Sequence, residues 1–376
     1  MSIVKKRLGF VGWRGMVGSV LLNRLLEEDE LSCFESYFYS TSQAGQKAPS
    51  VASFDTLKDA NNLEELAAMD IIVTCQGGDY TKSVHQKLRQ ANWKGFWVDA
   101  ASTLRMESDS VLVLDPLNLN IIRESIHEGK RDFVGPNCTV SLMLLALERP
   151  IKEGLIDWIG SHTYQAASGA GARNMKELLK QMGHLYNSSS NEINDDHSSI
   201  LELDKKISLT LQSDESFPKD NFMAPLAGSL IPWIDSKMDN GQTREEWKAM
   251  VEANKILGLD PGTLRVDGTC VRIGAMRSHS QALVVKCKKS IKVETLRELL
   301  QDSHPWLRYV PNEKEDTLKN LTPAATSGTL DIAIGRVRSM NLGPDFFNAF
   351  TVGDQLLWGA AEPLKRTLKI IAESDC

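Results

Sequence analysis

Several patterns are missing from this chain, and each absence removes a class of function. No stretch of the 376 residues stays apolar for the roughly 20 positions that a bilayer-spanning helix requires. The six cysteines (33, 75, 138, 270, 287 and 376) include no C-x-x-C pair and no metal-ligand spacing. A reduced, cytoplasmic protein without a metal site is the simplest reading. No long basic block occurs, and 43 Lys and Arg against 49 Asp and Glu give a net charge of −6, which argues against nucleic acid or anionic membrane as partner. The start, MSIVKKRLGFVGWRGMVG, places Lys5, Lys6 and Arg7 before apolar residues, but Arg14 and the glycines interrupt any signal-peptide core and no cleavage site follows.

The composition that remains, 42% hydrophobic and 24% charged, suits a globular chain long enough for two cores. Over the first 130 or so residues, short β-branched or aromatic runs (7–12, 35–42, 69–79 and 95–103) alternate with helical spacing, which predicts a parallel sheet covered on both faces. Beyond Cys138 the texture becomes α+β, with a mixed or antiparallel sheet. The polar run NSSSNEINDDHSS (187–199) reads as an exposed, mobile loop, and the end of the chain reads as a helix.

In GFVGWRGMVG, Gly12, Gly15 and Gly18 follow a strand and open a helix, the context in which glycines admit a pyrophosphate to a helix N-terminus. This spacing is not the strict G-x-G-x-x-G pattern, and a plain glycine turn is the competing reading. The second strand ends in Ser40, Thr41 and Ser42, without the carboxylate that binds the ribose hydroxyl of NAD. Those hydroxyls, with Arg14 nearby, suit the 2′-phosphate of NADP; alternatively they merely end a strand.

Cys138, in VGPNCTVSLMLLAL, sits where Pro136 and Asn137 stop a strand and an apolar helix begins. A helix N-terminus acidifies a thiol, which favours a nucleophile, but a buried structural cysteine is the more common role beside an apolar helix. A nucleophile needs a proton-handling partner, and His279 is a candidate because VRIGAMRSHSQALVV holds it in a strand with Arg272 and Arg277. Each arginine calls for either an internal carboxylate or an anionic substrate, and Arg105, just past a strand end, poses the same choice. GQTREEWKAM fits a capping box of Thr243 and Glu246. That leaves Glu245 and Lys248 on one helical face, as a surface ion pair or as a reader of substrate ammonium and phosphate.

Taken together, GFVGWRGMVGSVL, GPNCTVSLM, YQAASGAGARNM, PLAGSLIPWID, REEWK, VRIGAMRSHSQAL and FTVGDQLLWGAAEPL resemble the aspartate-semialdehyde dehydrogenases of Gram-negative type, from about residue 7 to 364. The resemblance implies a homodimer. It implies a Rossmann-type NADP domain over residues 1–137, completed by a C-terminal helix at 352–376, and an α+β catalytic and dimerisation domain over 138–351. The implied reaction is NADPH-dependent conversion of L-aspartyl 4-phosphate to L-aspartate 4-semialdehyde, serving lysine, threonine and methionine synthesis, with no metal.

By the same resemblance Cys138 forms a thioester, His279 is the acid/base and Gln165 orients the acyl group. Arg272 and Glu245 bind the substrate carboxylate and ammonium, and Arg105, Lys248 and Asn137 hold phosphate. Gly12, Arg14, Gly15, Met16, Val17, Thr41, Ser42, Gln76, Ser168, Gly169, Ala170, Gly171, Ala172 and Gln355 would contact NADP. Two departures stand out: SGAGA replaces the family's common SGGGA, narrowing the space at Ala170, and Asp196 stands where some members place a cofactor-contacting proline. A reductase for N-acetyl-glutamyl phosphate, or a non-catalytic NADP-binding protein, are the alternatives; the first would leave Glu245 without a purpose.

Overall fold

The computed structural model describes residues 5–374, so the last two residues of the expected C-terminal helix lie outside the described residues. Among the described residues, seven strands form a first sheet: β1 (Lys6–Val11), β2 (Phe34–Ser40), β3 (Lys58–Asp59), β4 (Ile71–Thr74), β5 (Phe96–Asp99), β6 (Ser110–Leu112) and β7 (Asp132–Val134). They lie in the order β3-β2-β1-β4-β5-β7-β6, and every neighbouring pair is parallel. The central strands are apolar without alternation, as sheets covered on both faces require, and every side chain of β4 is buried. This is the Rossmann-type sheet expected. The order reverses between β1 and β4, so both strands deliver their C-terminal ends to the crevice where such sheets bind ligands.

The second sheet is mixed: β8 (Ile156–Gln165), β9 (Leu230–Ile231), β10 (Arg265–Asp267), β11 (Cys270–Ile273), β12 (His279–Cys287), β13 (Leu307–Tyr309), β14 (Ile332–Met340) and β15 (Gly343–Gly353). Its order is β13-β14-β15-β12-β8-β11-β9, with β10 also pairing β8. Strand β8 runs parallel to β11 and antiparallel to β12. In that register Arg272 faces Gln165, and His279 opens β12 at the same end, so three predicted site residues converge through strand pairing alone.

The apolar helix Cys138–Ala146 lies between the two sheets' domains, and every residue from Thr139 to Ala146 is buried. It shares a core with Leu283, Ile332, Phe347 and Trp358, so the run behind Cys138 is packed on all sides. The chain then returns: β15 ends at Gly353, a π-helical turn spans Leu357–Ala361, and the last helix is Glu362–Glu373. That helix is shorter than the expected 352–376, because Val352 and Gly353 are still in the sheet and Pro363 sets the helix start. Its Leu364, Leu368 and Ile371 join the core of Leu8, Phe10 and Val98 under the first sheet. Buried Lys365 and Glu362 pair with each other at 3.2 Å, and Arg24 reaches Glu362 at 3.0 Å, tying the returning helix to Met16–Glu27.

The expected loop at 187–199 is helical in its first half and a turn over 194–199. The Ala172–Ser188 helix enters it, Ser190–Ile193 adds a turn, and Ile200–Ser213 begins directly after it. Polar composition misled there because the serines act locally: Ser199 caps the next helix through Leu201 N–H, and Ser189 Oγ donates to the Leu185 carbonyl. Glu192 and Lys206 then bridge the segments at 2.6 Å. Asp196 lies in the exposed turn that remains.

Candidate active site

A cavity of about 390 Å³ opens where the two domains meet, and its walls include Val17 from the glycine turn, Cys138, Gln165, Glu245, Arg272 and Gln355. Arg105, Asn137, Lys248, Ser168 and Gly169 also line it. The residues expected to handle substrate and those expected to handle the cofactor therefore share one space.

At its base, Asn137 is the N-cap of the Cys138–Ala146 helix: its Oδ1 accepts from Thr139 N–H at 3.0 Å and from Val140 N–H at 3.2 Å. Its Nδ2 donates to Glu245 Oε1 at 3.0 Å. Asn137 thus spends its side chain on fixing the nucleophile's helix rather than on reaching outward to phosphate. Cys138 is the first helical residue, as expected, but its thiol is not acidified. Burial, then the Glu245 carboxylate, push it up to about 12, against the pull of Arg272, Arg105 and Lys248. The helix start alone had predicted the opposite direction.

Glu245 and Lys248 are not a surface pair, for both are more than nine-tenths buried and 3.0 Å apart. The capping box forms as read, with Thr243 N–H donating to Glu246 Oε2 at 2.7 Å, so Glu246 is occupied and Glu245 is free to face the cavity. Burial opposes the Glu245 charge, but Lys248 and hydrogen bonds from Asn137, Lys248 and Gln165 outweigh it and hold the carboxyl below its usual range. Burial likewise opposes the Lys248 charge, and Glu245 and Asp235 hold it raised. Lys248 also donates to Asp235 at 2.8 Å, so it is shared by two carboxylates. Gln165 Nε2 donates to Glu245 and to Thr163, each at 3.2 Å.

The two strand arginines divide between the two readings. Arg277 takes an internal carboxylate, Asp354, at 2.7 Å. Arg272 lines the cavity, donates to the Ala166 carbonyl at 2.8 Å, and has no carboxylate in ion-pair distance among the described residues; burial lowers its pKa. A buried guanidinium without a counter-ion is a binding site for one.

His279 is fully buried and stands one layer behind the cavity wall. Its Nδ1 accepts the Ala166 backbone N–H at 3.0 Å, which fixes the neutral ring with its proton on Nε2. Burial and then Arg272 lower its pKa to about 3, so it is held neutral. Nε2 has no hydrogen-bond partner among the described residues. Between it and the cavity stands Gly169, where a Cβ would lie 2.9 Å from both His279 Nε2 and Arg272 Nη1. Gly169→Ala is therefore expected to displace both groups and to lower kcat/KM by about 10²-fold with the fold intact, measured against circular dichroism and Tm; a near-normal rate would show that neither group needs its present position.

The cofactor residues form two groups. In the first, Gly12 has φ +76°, and a Cβ there would meet the Cys75 and Gln76 backbone at 2.6 Å. A Cβ on Gly18 would stand 2.1 Å from the Gly12 carbonyl, so glycine alone permits this turn. The helix it opens has no side-chain cap, which leaves first-turn N–H groups around Met16 and Val17 for a ligand. Arg14 donates to Ser40 Oγ at 3.1 Å and to Gln43, and so lies over the end of β2, where no carboxylate opposes a 2′-phosphate. Gln76 Nε2 reaches Thr41 at 3.5 Å, and Ser42 N–H donates to Ser40 Oγ, the first of the three hydroxyls that end the strand.

The second group is the turn Ser168–Ala172. There Gly171 (φ +102°) leads into the Ala172–Ser188 helix, and Ala170 and Ala172 are exposed. Gln355 spends its amide internally, accepting from Ser278 N–H at 2.8 Å and donating to Ser168 Oγ, which joins this turn to the start of β12. The glycine cradle and the uncapped helix fit a dinucleotide. Among the described residues, no cluster of three His, Cys, Asp or Glu is placed to hold a metal. No described helix is long and apolar enough to cross a membrane.

Comparison with known proteins decides among the chemistries this cavity allows. Residues 7–125 match the semialdehyde dehydrogenase NAD binding domain, and residues 147–358 match the semialdehyde dehydrogenase dimerisation domain. The solved aspartate semialdehyde dehydrogenase from Francisella tularensis is 50% identical over 97% of this chain and 99% of its own, with a TM-score of 0.93. The chain belongs to the aspartate-semialdehyde dehydrogenase family. Aspartate semialdehyde dehydrogenase II from Vibrio cholerae shares the fold at 23% identity and a TM-score of 0.80, over 99% of this chain and 100% of its own. The Candida albicans enzyme, solved with NADP, shares it at 16% and 0.66, over 98% and 99%.

The matched NAD binding domain holds the glycine turn and Arg14, whereas Cys138, Glu245 and Arg272 lie outside it. Glu252, which anchors Asn137 and Arg105 from below, escaped the sequence reading, although its spacing from Glu245 and Lys248 along one helix was visible.

Proposed function

We propose that this enzyme reductively dephosphorylates L-aspartyl 4-phosphate to L-aspartate 4-semialdehyde with NADPH, and runs the phosphorylating oxidation in reverse, on the route to lysine, threonine and methionine. The observation that carries the reading is a buried carboxylate and a buried, unpaired guanidinium, Glu245 and Arg272, facing one cavity with Cys138. An α-amino acid presents a complementary ammonium and carboxylate, and its β-acyl group then extends toward the sulfur.

As Cys138 Sγ attacks the acyl carbon, its proton passes to the departing group; the carbon–oxygen bond to phosphate breaks, and hydrogen phosphate leaves toward the cations Arg105 and Lys248. NADPH, when bound, supplies a hydride to the thioester carbon. The resulting oxyanion takes a hydrogen bond from His279 Nε2–H once the Gly169 turn shifts to expose it, and collapse expels the Cys138 sulfur and frees the aldehyde. His279 acts here as a neutral donor, which suits an imidazole whose Nδ1 is already engaged by a backbone N–H. Gln165, anchored on Glu245, orients the acyl oxygen.

Residues 1–137 with the returning 352–376 segment bind the cofactor, and 138–351 carry catalysis and the contact between two copies. In support of a homodimer, Leu179, Met182 and Tyr186 leave one face of the Ala172–Ser188 helix exposed, beside exposed Ile200, Leu201 and Leu209. Cys33, Cys75, Cys138, Cys270 and Cys287 are all unpaired, in keeping with a reducing cytoplasm.

The test is a spectrophotometric assay with L-aspartate 4-semialdehyde, phosphate and either NADP or NAD. Phosphate-dependent reduction, faster with NADP, is expected; N-acetyl-glutamate semialdehyde, which has no free ammonium for Glu245, is expected to be a far poorer substrate. Equal use of both aldehydes would sink the assignment of Glu245.

A further inference from the structure

The helix Arg244–Ile256 carries Glu245, Lys248 and Glu252 at spacings of three and four, so all three lie on the face turned to the Cys138 loop. The first two meet the cavity; Glu252 does not line it and is 1% exposed. Its carboxylate is divided between two jobs. Oε2 accepts the Asn137 backbone N–H at 2.6 Å, and Oε1 accepts Arg105 Nη1 at 3.0 Å. Arg105 in turn donates from Nε to the Gly135 carbonyl at 2.8 Å and from Nη2 to the Pro136 carbonyl at 3.0 Å.

The ion pair therefore grips three consecutive residues, 135 to 137, directly before the nucleophile, and uses Arg105 itself as one jaw. A guanidinium tied on three sides cannot swing to meet phosphate, so its place in the wall is set by Glu252. We propose that Glu252 is a positioning residue: it fixes the N-cap turn that aims Cys138 and presents Arg105 to the phosphate. The inference rests on the dehydrogenase reading above. A carboxylate whose sole task was to neutralise a buried arginine would have no need of the Asn137 N–H, and a single-acceptor contact would suffice.

The distinguishing readout is which substrate's KM moves. In the oxidative assay, Glu252→Gln keeps size and one acceptor but turns an NH₂ toward the second donor. It is expected to raise KM for phosphate about tenfold and to lower kcat between about ten- and a hundredfold. KM for aspartate semialdehyde, read by Glu245 and Arg272, is expected to stay within about twofold. Glu252→Asp keeps the charge and withdraws it by one methylene; positioning predicts the same loss on the phosphate side, and neutralisation alone predicts wild-type kinetics. Folded variants with unchanged phosphate KM and kcat overturn the inference, as does a parallel rise in both KM values. If neither variant folds, Glu252 is a structural clamp and the positioning role falls. An inactive wild-type enzyme would instead overturn the dehydrogenase reading, so the two failures are told apart.

Discussion

Cys138→Ser is expected to lower turnover by roughly four orders of magnitude or more while leaving Tm and NADPH affinity close to wild type. The substitution changes one atom in a site with no slack: Gly359 packs so closely that a Cβ on it would lie 2.6 Å from Cys138 Cβ. The helix behind is core and does not depend on sulfur, so the fold survives. What is lost is a nucleophile that ionises more readily than a hydroxyl and leaves readily when the hemithioacetal collapses. Among the described residues the other cysteines cannot substitute, since Cys270 and Cys287 are buried outside the cavity wall and Cys33 and Cys75 lie on the first domain. The measurement is NADP reduction with aspartate semialdehyde and phosphate, beside a fluorescence titration with NADPH. Turnover above about one per cent of wild type in the serine variant would remove the thioester, and lost NADPH binding would mean that the variant disturbs more than the sulfur.

Features confined to a single helix start or turn were legible in the sequence. The Thr243–Glu246 capping box, Cys138 at the first position of its helix, and the three glycines before Met16 each depend on residues within a few positions. Alternation of strands and helices was enough to give a parallel sheet, and β-strand texture enough to give a mixed second one. What was not legible depends on sums over distant parts of the chain. Arg272 and Arg277 look alike in one strand segment, and only Asp354, far along the chain, separates the structural one from the one in the cavity. Glu252 lies outside the REEWK stretch that drew attention, and its partners Asn137 and Arg105 are more than a hundred residues away. The proton on His279 Nε2 follows from a backbone N–H at Ala166, which no side-chain pattern encodes. The 187–199 segment is a loop only over 194–199, because serines earlier in it satisfy helix ends instead of water.

Glu245→Gln is expected to move two quantities in opposite senses. For substrate, it removes the buried charge proposed to pair with the α-ammonium, and kcat/KM with aspartate semialdehyde should fall by about 10²-fold or more, chiefly through KM. For the thiol, it removes the carboxylate that, after burial, does most to hold Cys138 up at about 12. With that negative charge gone, and Arg272, Arg105 and Lys248 still present, thiolate becomes more favourable. The sign is explicit: a thiol reacts as thiolate, so alkylation speeds up as pH rises toward the thiol pKa, and a lowered pKa shifts that rise to lower pH. At a fixed pH near 8, iodoacetamide labelling of Cys138, read by mass spectrometry, should therefore be faster in the Gln variant of the ligand-free enzyme. The isosteric amide can still accept from Asn137 and Gln165, so the helix cap has no cause to loosen. Burial first, and this carboxylate second, hold the helix-start cysteine protonated in the empty enzyme. If Glu245 binds the substrate ammonium as proposed, arrival of the correct amino acid would also favour the thiolate. Slower or unchanged labelling in Glu245→Gln would break that coupling, and the acidity of Cys138 would then have to come from the phosphate-side cations alone.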